Sequence, residues 1–246
     1  MRSSSRRDAI RLSVFGVLPF IVAMTCPAQQ KAPIAQQVAK TYGFDSYGQI
    51  DGIRWTWNGQ LFGLNISHKW EWNPKTGTVS YEGRDKDGKP IKVTYQQSQL
   101  SSQSDVIKNQ VQPAFINDQY WLLVVFHAVW DGSATVMDDG MQKLPEGNGS
   151  AERMVMKYPA EAGGYTPGDT WTFYIGPDKR VEVLEYRRGG AKKPKIVIAK
   201  WTDYKKAGPL LVAMDHRGTA DGKPLRIWFT DVAVKVTGSQ NWMSAQ

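Results

Sequence analysis

The chain has 246 residues, 41% hydrophobic and 22% charged, with a formal net charge of +8, enough length and apolar content for one good core. Its single cysteine, Cys26, excludes an internal disulfide and, with it, zinc–thiolate and iron–sulfur chemistry. The basic residues are scattered in small clusters such as Arg187-Arg188 and Lys205-Lys206, which argues for a solvated face and against nucleic-acid binding.

Residues 1–28 read as an export signal. Arg2, Arg6, Arg7 and Arg11 mark a basic start, an apolar run fills 12–24, and Cys26-Pro27-Ala28 supplies the small residues of a cleavage site before polar Gln29-Gln30-Lys31. The run falls short of the about 20 apolar residues that a membrane span needs. Arg6-Arg7 fits a twin-arginine signal and an ordinary basic start equally. Cleavage after Ala28 leaves residues 29–246 as one domain without cysteine, carrying 27 basic and 22 acidic residues, a net of +5. The alternative is a lipoprotein anchored through Cys26, with Thr25 where Gly or Ala is usual. Either way the expected location is the periplasm or cell envelope.

Residues 33–42 space Ile34, Val38 and Tyr42 on one face of a short helix opened by Pro33 and stopped by Gly43. Alternation then takes over. Ile53, Trp55 and Trp57 alternate with polar residues, as do Leu64, Ile66, His68, Trp70 and Trp72, and this predicts two half-buried antiparallel strands. An even-length loop within 58–63 puts all four tryptophans on one face. A second strand pair spans 78–82 and 91–96 around an Asp-Gly turn. Residues 103–112 are helix-like and polar, Pro113 is expected to interrupt them, and 115–130 form a buried helical segment. Strand patterns return at 134–137, 153–158, 170–175, 180–187, 195–201, 210–215 and 225–236. In all, about ten or eleven short strands argue for one antiparallel sheet or open barrel. The C-terminal segment around Trp242 is polar and expected to fray.

No serine-hydrolase elbow, zinc-protease motif, phosphate-binding loop or dinucleotide fingerprint is present, and no metal or cofactor is implied. Asp85-Lys86-Asp87-Gly88 reads as a turn rather than a calcium loop, and Asp138-Asp139 as loop chemistry. His127 lies in an apolar run, a core or lid position. His216 follows Asp215, and neighbouring strand residues face opposite ways. His68 occupies the apolar parity of its strand, either as a satisfied core histidine or as a polar handle in a ligand cavity.

The order of a short N-terminal helix, a Trp-rich hairpin ending Trp70-Glu71-Trp72-Asn73-Pro74, a central helical segment and a strand series resembles the LolA-like superfamily of periplasmic lipoprotein carriers and their relatives. Tyr174-Ile175-Gly176-Pro177-Asp178-Lys179-Arg180-Val181 and Phe229-Thr230-Asp231-Val232-Ala233-Val234 look like its strand–turn–strand and closing hairpins. The resemblance spans most of 33–238 and implies an open, incomplete antiparallel β-barrel with a helical lid over an apolar cavity. This chain departs from the carriers in its four closely spaced tryptophans and His68, and no arginine aligns with their lid-locking one.

The resulting expectation is an exported, non-enzymatic, monomeric binder or carrier of a lipid or lipoprotein acyl chain. An envelope lipoprotein or membrane partner would supply or receive that ligand. The ligand-facing residues are Trp55, Trp57, Ile66, His68, Trp70 and Trp72, with Trp121, Phe126 and Trp130 from the central lid. Two rivals stand beside it: an envelope enzyme using His68 or His127 with a nearby acid, and a sugar-binding module with an exposed tryptophan platform.

Overall fold

The computed structural model describes residues 32–85, 87–161, 166–190, 193 and 195–246. The export signal lies outside the described residues. Helix α1 (Pro33–Thr41) is followed by a 3-10 turn and four strands: β1 (Ile50–Leu61), β2 (Leu64–Asn73), β3 (Thr78–Arg84) and β4 (Pro90–Gln96). A long helical segment ending in α2 (Gln112–Trp130) leads to β5 (Thr135–Lys143), β6 (Ser150–Lys157), β7 (Thr170–Ile175), β8 (Val181–Arg187), β9 (Ile196–Ala207), β10 (Leu210–Ala220), β11 (Lys223–Val236) and β12 (Met243–Ser244).

All twelve strands belong to one antiparallel sheet, ordered β4-β3-β2-β1-β11-β10-β9-β8-β7-β6-β5, with β12 also pairing β11. It is an open sheet rather than a closed barrel, and β4 and β5 are its two edges. The chain passes between those edges through the segment that carries α2. Helix α2 lies across one face of the sheet, with Phe115 on Trp70 and Trp72 of β2 and Trp121 on Trp171 of β7 and His216 of β10, and it is buried along most of its length and apolar on nearly every side. No helix among the described residues is long and apolar enough to cross a membrane.

Gly43, beyond the end of α1, sits at φ +90°, and a Cβ there would meet the Pro209 carbonyl oxygen at 2.1 Å. Only glycine turns the chain so tightly against another backbone. Tyr42 then anchors α1 to the sheet: its hydroxyl meets that of Tyr204 at 2.7 Å and accepts from the Val181 N–H at 3.0 Å.

Three local expectations are corrected. Pro113 does not interrupt the helix. It follows a π-helical turn (Ile107–Val111) and stands in the first turn of α2, where the wider winding accommodates the ring and no N–H is required. Residues 138–143, read as loop, extend β5 through a bulge at Asp138/Met141. The C-terminal segment does not fray, because β12 pairs Ala233 and Val234, Trp242 packs 4.7 Å from the Arg54 guanidinium, and Gln246 exchanges backbone hydrogen bonds with Lys206.

Candidate functional site

The first hairpin is closed by Phe62-Gly63, both at positive φ (51° and 80°), the two-residue turn that matches strand twist. This even loop sets the register: Ile53 opposite Trp72, Trp55 opposite Trp70, Trp57 opposite His68, and Gly59 opposite Ile66. All these residues therefore share the inner face, and Lys69 and Glu71 are exposed on the other. Gly59 leaves room for the Trp57 indole, whose ring would lie 2.3 Å from a Cβ at that position.

Helix α2 packs on this face through Phe115, which lies 6.1 Å from Trp55, 5.5 Å from Trp70 and 5.6 Å from Trp72 between ring centres. One turn on, the carboxylate of Asp118 is fully buried. Its Oδ2 lies 2.7 Å from His68 Nδ1 and accepts from Trp70 Nε1 at 2.8 Å, and its Oδ1 accepts from Asn117 Nδ2 at 3.0 Å. Burial raises the Asp118 carboxyl above its ordinary range, and His68, Asn117 and Trp70 oppose that rise. His68 stacks on Trp57 at 5.6 Å and keeps 17% of its side chain exposed.

Farther along α2, Trp121 meets Trp171 at 5.6 Å and His216 at 5.9 Å. His216 is wholly buried against Trp201 and Phe229, and burial lowers its pKa to about 3, so the ring is neutral. The end of α2 holds a second polar cluster. His127 Nδ1 is 2.8 Å from Asp131 Oδ2, its Nε2 is 3.0 Å from Gln119 Oε1, and Tyr158 donates a short bond to Asp131. Burial lowers the pKa of His127, against the pull of Asp131. Burial also raises the Asp131 carboxyl, but His127 and the Tyr158 and Tyr120 hydroxyls outweigh it and hold the group below its ordinary range.

The sequence-derived set is thus divided along α2. Trp55, Trp70 and Trp72 gather around Phe115, with Trp57 and His68 beside them. Trp121 joins a separate group with Trp171 and His216, and Phe126 and Trp130 pack against Phe44 and Tyr47. Ile66 is partly buried at the edge of the same core. Sequence reasoning missed Asp118, Trp171 and Trp201. Asp118 in particular is an acid inside an apolar helical run, and that placement was the available signal.

Among the described residues, the indole N–H groups of Trp55, Trp57, Trp72, Trp171 and Trp201 and both ring nitrogens of His216 are buried without a hydrogen-bond partner. No group of three or more His, Cys, Asp or Glu there is arranged to hold a metal ion. A wider hollow of about 610 Å³ lies over the opposite, polar face, where Arg54, Lys69, Glu71, Glu82 and Lys92 line it.

No protein-family model matches the chain, and no curated protein matches it. Among solved structures it is similar to a DUF1329 family protein from Desulfovibrio piger, at 9% identity over 84% of this chain and 93% of that one, with a TM-score of 0.44. It is also similar to the Mycobacterium tuberculosis lipoprotein LppX, at 8% identity over 81% and 94%, with a TM-score of 0.30. Both likenesses are weak and bear on neither ligand nor activity.

Proposed function

We propose that this chain is an exported binder or carrier of a lipid or lipoprotein acyl chain, built as a LolA-like half-barrel, with α2 as the element that yields to the ligand. The observation that carries the reading is the row of unpartnered indole donors on the inner face. Each buried donor left unsatisfied costs about 1–3 kcal/mol. A bound lipid places ester or amide carbonyls within an otherwise apolar lining, which satisfies such donors while its chains take the place of α2 side chains. The helix has the irregularities that such movement uses: the π-helical turn at its start and non-helical backbone at Leu123.

A second reading, an enzyme, has its own observation in the convergence of His68 on Asp118 and of His127 on Asp131. However, His68 makes no hydrogen bond to a serine or threonine hydroxyl among the described residues, and Asp118 is shared with Trp70 and Asn117. The pair orients a ring without presenting it with a nucleophile. The sugar-platform reading has less support, since Trp55, Trp57 and Trp70 are buried and Trp72 is partly buried against Phe115 of α2.

Native mass spectrometry of protein purified from its own envelope is the decisive experiment. The expected result is a co-purified amphiphile whose mass is lost on delipidation. Folded protein that neither carries nor takes up any amphiphile overturns the reading.

A further inference from the structure

A second, smaller pocket of about 140 Å³ opens between α2 and the β7–β8 pair. Four aromatic side chains line it: Tyr120 and Trp121 from the helix, Trp171 from β7 and Tyr186 from β8. Their rings are mutually braced, with Trp171 4.5 Å from Tyr186, 5.7 Å from Tyr120 and 5.6 Å from Trp121. Asp169 completes the wall and is only 5% exposed. Its Oδ2 accepts from the Tyr186 hydroxyl at 2.9 Å and its Oδ1 from the Gly189 N–H at 2.7 Å. Both donors are neutral, and among the described residues Asp169 forms no ion pair. Arg188 acts on the neighbouring Tyr186 hydroxyl without pairing with Asp169, so this nearly buried carboxylate in an aromatic wall is held by neutral donors and attracts a cation.

We infer that this pocket binds a quaternary ammonium group, the trimethylammonium of choline or of a choline lipid headgroup. Aromatic rings attract such cations through the negative potential of their faces, and quaternary ammonium recognition by aromatic cages rests on that attraction. The choice of a methylated over a primary ammonium follows from hydration: a primary ammonium is a strongly hydrated point charge whose three N–H donors must each find an acceptor inside a largely aromatic wall. A methylated cation donates nothing and needs only ring surface and one opposite charge. A pocket of this size suits a compact head and not an acyl chain. The inference stands on this pocket alone and does not depend on acyl-chain binding by the interior.

Calorimetric titration with choline, tetramethylammonium and the neutral choline isostere 3,3-dimethylbutanol tests it. Choline and tetramethylammonium are expected to bind, with the neutral isostere and ethanolamine weaker by about tenfold or more. Asp169→Asn, which keeps an acceptor for Tyr186 or Gly189, is expected to lower choline affinity by about tenfold. Trp171→Phe keeps a ring but weakens the cation attraction, so it is expected to reduce affinity severalfold, with a melting curve confirming that each variant is folded. Choline displaced by phosphatidylcholine vesicles but not by phosphatidylglycerol vesicles assigns the site to a lipid headgroup. Choline binding that neither vesicle affects assigns it to the free cation. Absence of choline binding at millimolar concentration, or equal binding of the neutral isostere, overturns the inference.

Discussion

The carboxylate of Asp118 on α2 lies 2.7 Å from Nδ1 of His68 on β2, and the same oxygen takes the indole N–H of Trp70 at 2.8 Å. A single buried acid thereby ties the helix that fills the half-barrel to the hairpin beneath it. The tie is polar, whereas the rest of that interface is aromatic packing. It fixes the rotation of α2 more sharply than apolar contact alone, because a displaced carboxylate strands two donors at once.

Asp118→Ala should therefore cost about 2–4 kcal/mol, since it leaves the His68 and Trp70 donors unpaired in the core. Asp118→Asn retains one acceptor oxygen and should cost less. Urea denaturation of the two variants against the wild type measures the difference. Equal stability of Asp118→Ala and the wild type would show that the tie is dispensable.

The stability of the protein should carry a signature of His216. Its folded pKa lies near 3, against an ordinary 6.5. Between those values the unfolded chain takes up a proton that the folded chain refuses, so stability is full above the unfolded value and falls as the pH drops. The loss from this group is about 1.4 kcal/mol per pH unit at most. His216→Phe should remove that slope and raise stability near neutral pH, because it also removes two unpartnered nitrogens. Parallel acid titrations of unfolding free energy would reveal it, and identical slopes in variant and wild type would refute the assignment.

The hairpin was legible in the sequence because one of its faces is buried and the other wet, so parity within each strand, joined to an even-length loop, assigned Trp55, Trp57, His68, Trp70 and Trp72 to one side. The short turn at Phe62-Gly63 preserved that parity. What carried no local signal was partnership across the fold: His68 and Asp118 are 50 residues apart and meet only because the edge-to-edge connection crosses the sheet. Polar strand ends were missed for a related reason. Residues 202–206 and 217–219 extend β9 and β10 with side chains that are exposed or only partly buried, so pairing along the ladder holds the backbone extended there. The same holds at β12, where a polar segment is kept in place by β11.

Gly43→Ala should destabilise the protein by about 1–3 kcal/mol. Its backbone stands at φ +90°, and the added Cβ would meet Pro209 O at 2.1 Å. The change lies at the α1 junction, outside the hairpin and outside the residues assigned to ligand, so thermal melting should drop while amphiphile uptake by the folded fraction persists. An unchanged melting temperature would show that the α1 junction relaxes freely.

Ligand entry beneath α2 should change the environment of the hairpin tryptophans. Titration with a fluorescent fatty acid is expected to shift tryptophan emission and give energy transfer to the probe. Trp242 packs on the outer face beside Arg54, so Trp242→Phe should leave the affinity unchanged. Trp57→Phe keeps an aromatic ring but deletes one of the unpartnered donors of the inner face. If that donor serves a lipid carbonyl, its loss should cost about 0.5–1.5 kcal/mol of binding, a severalfold drop in affinity. The change also empties the space over Gly59 that the larger ring fills, so a urea titration of the empty variant accompanies the binding measurement to separate lost packing from the lost donor. Equal affinity of Trp57→Phe and wild type would remove the donor from the ligand site.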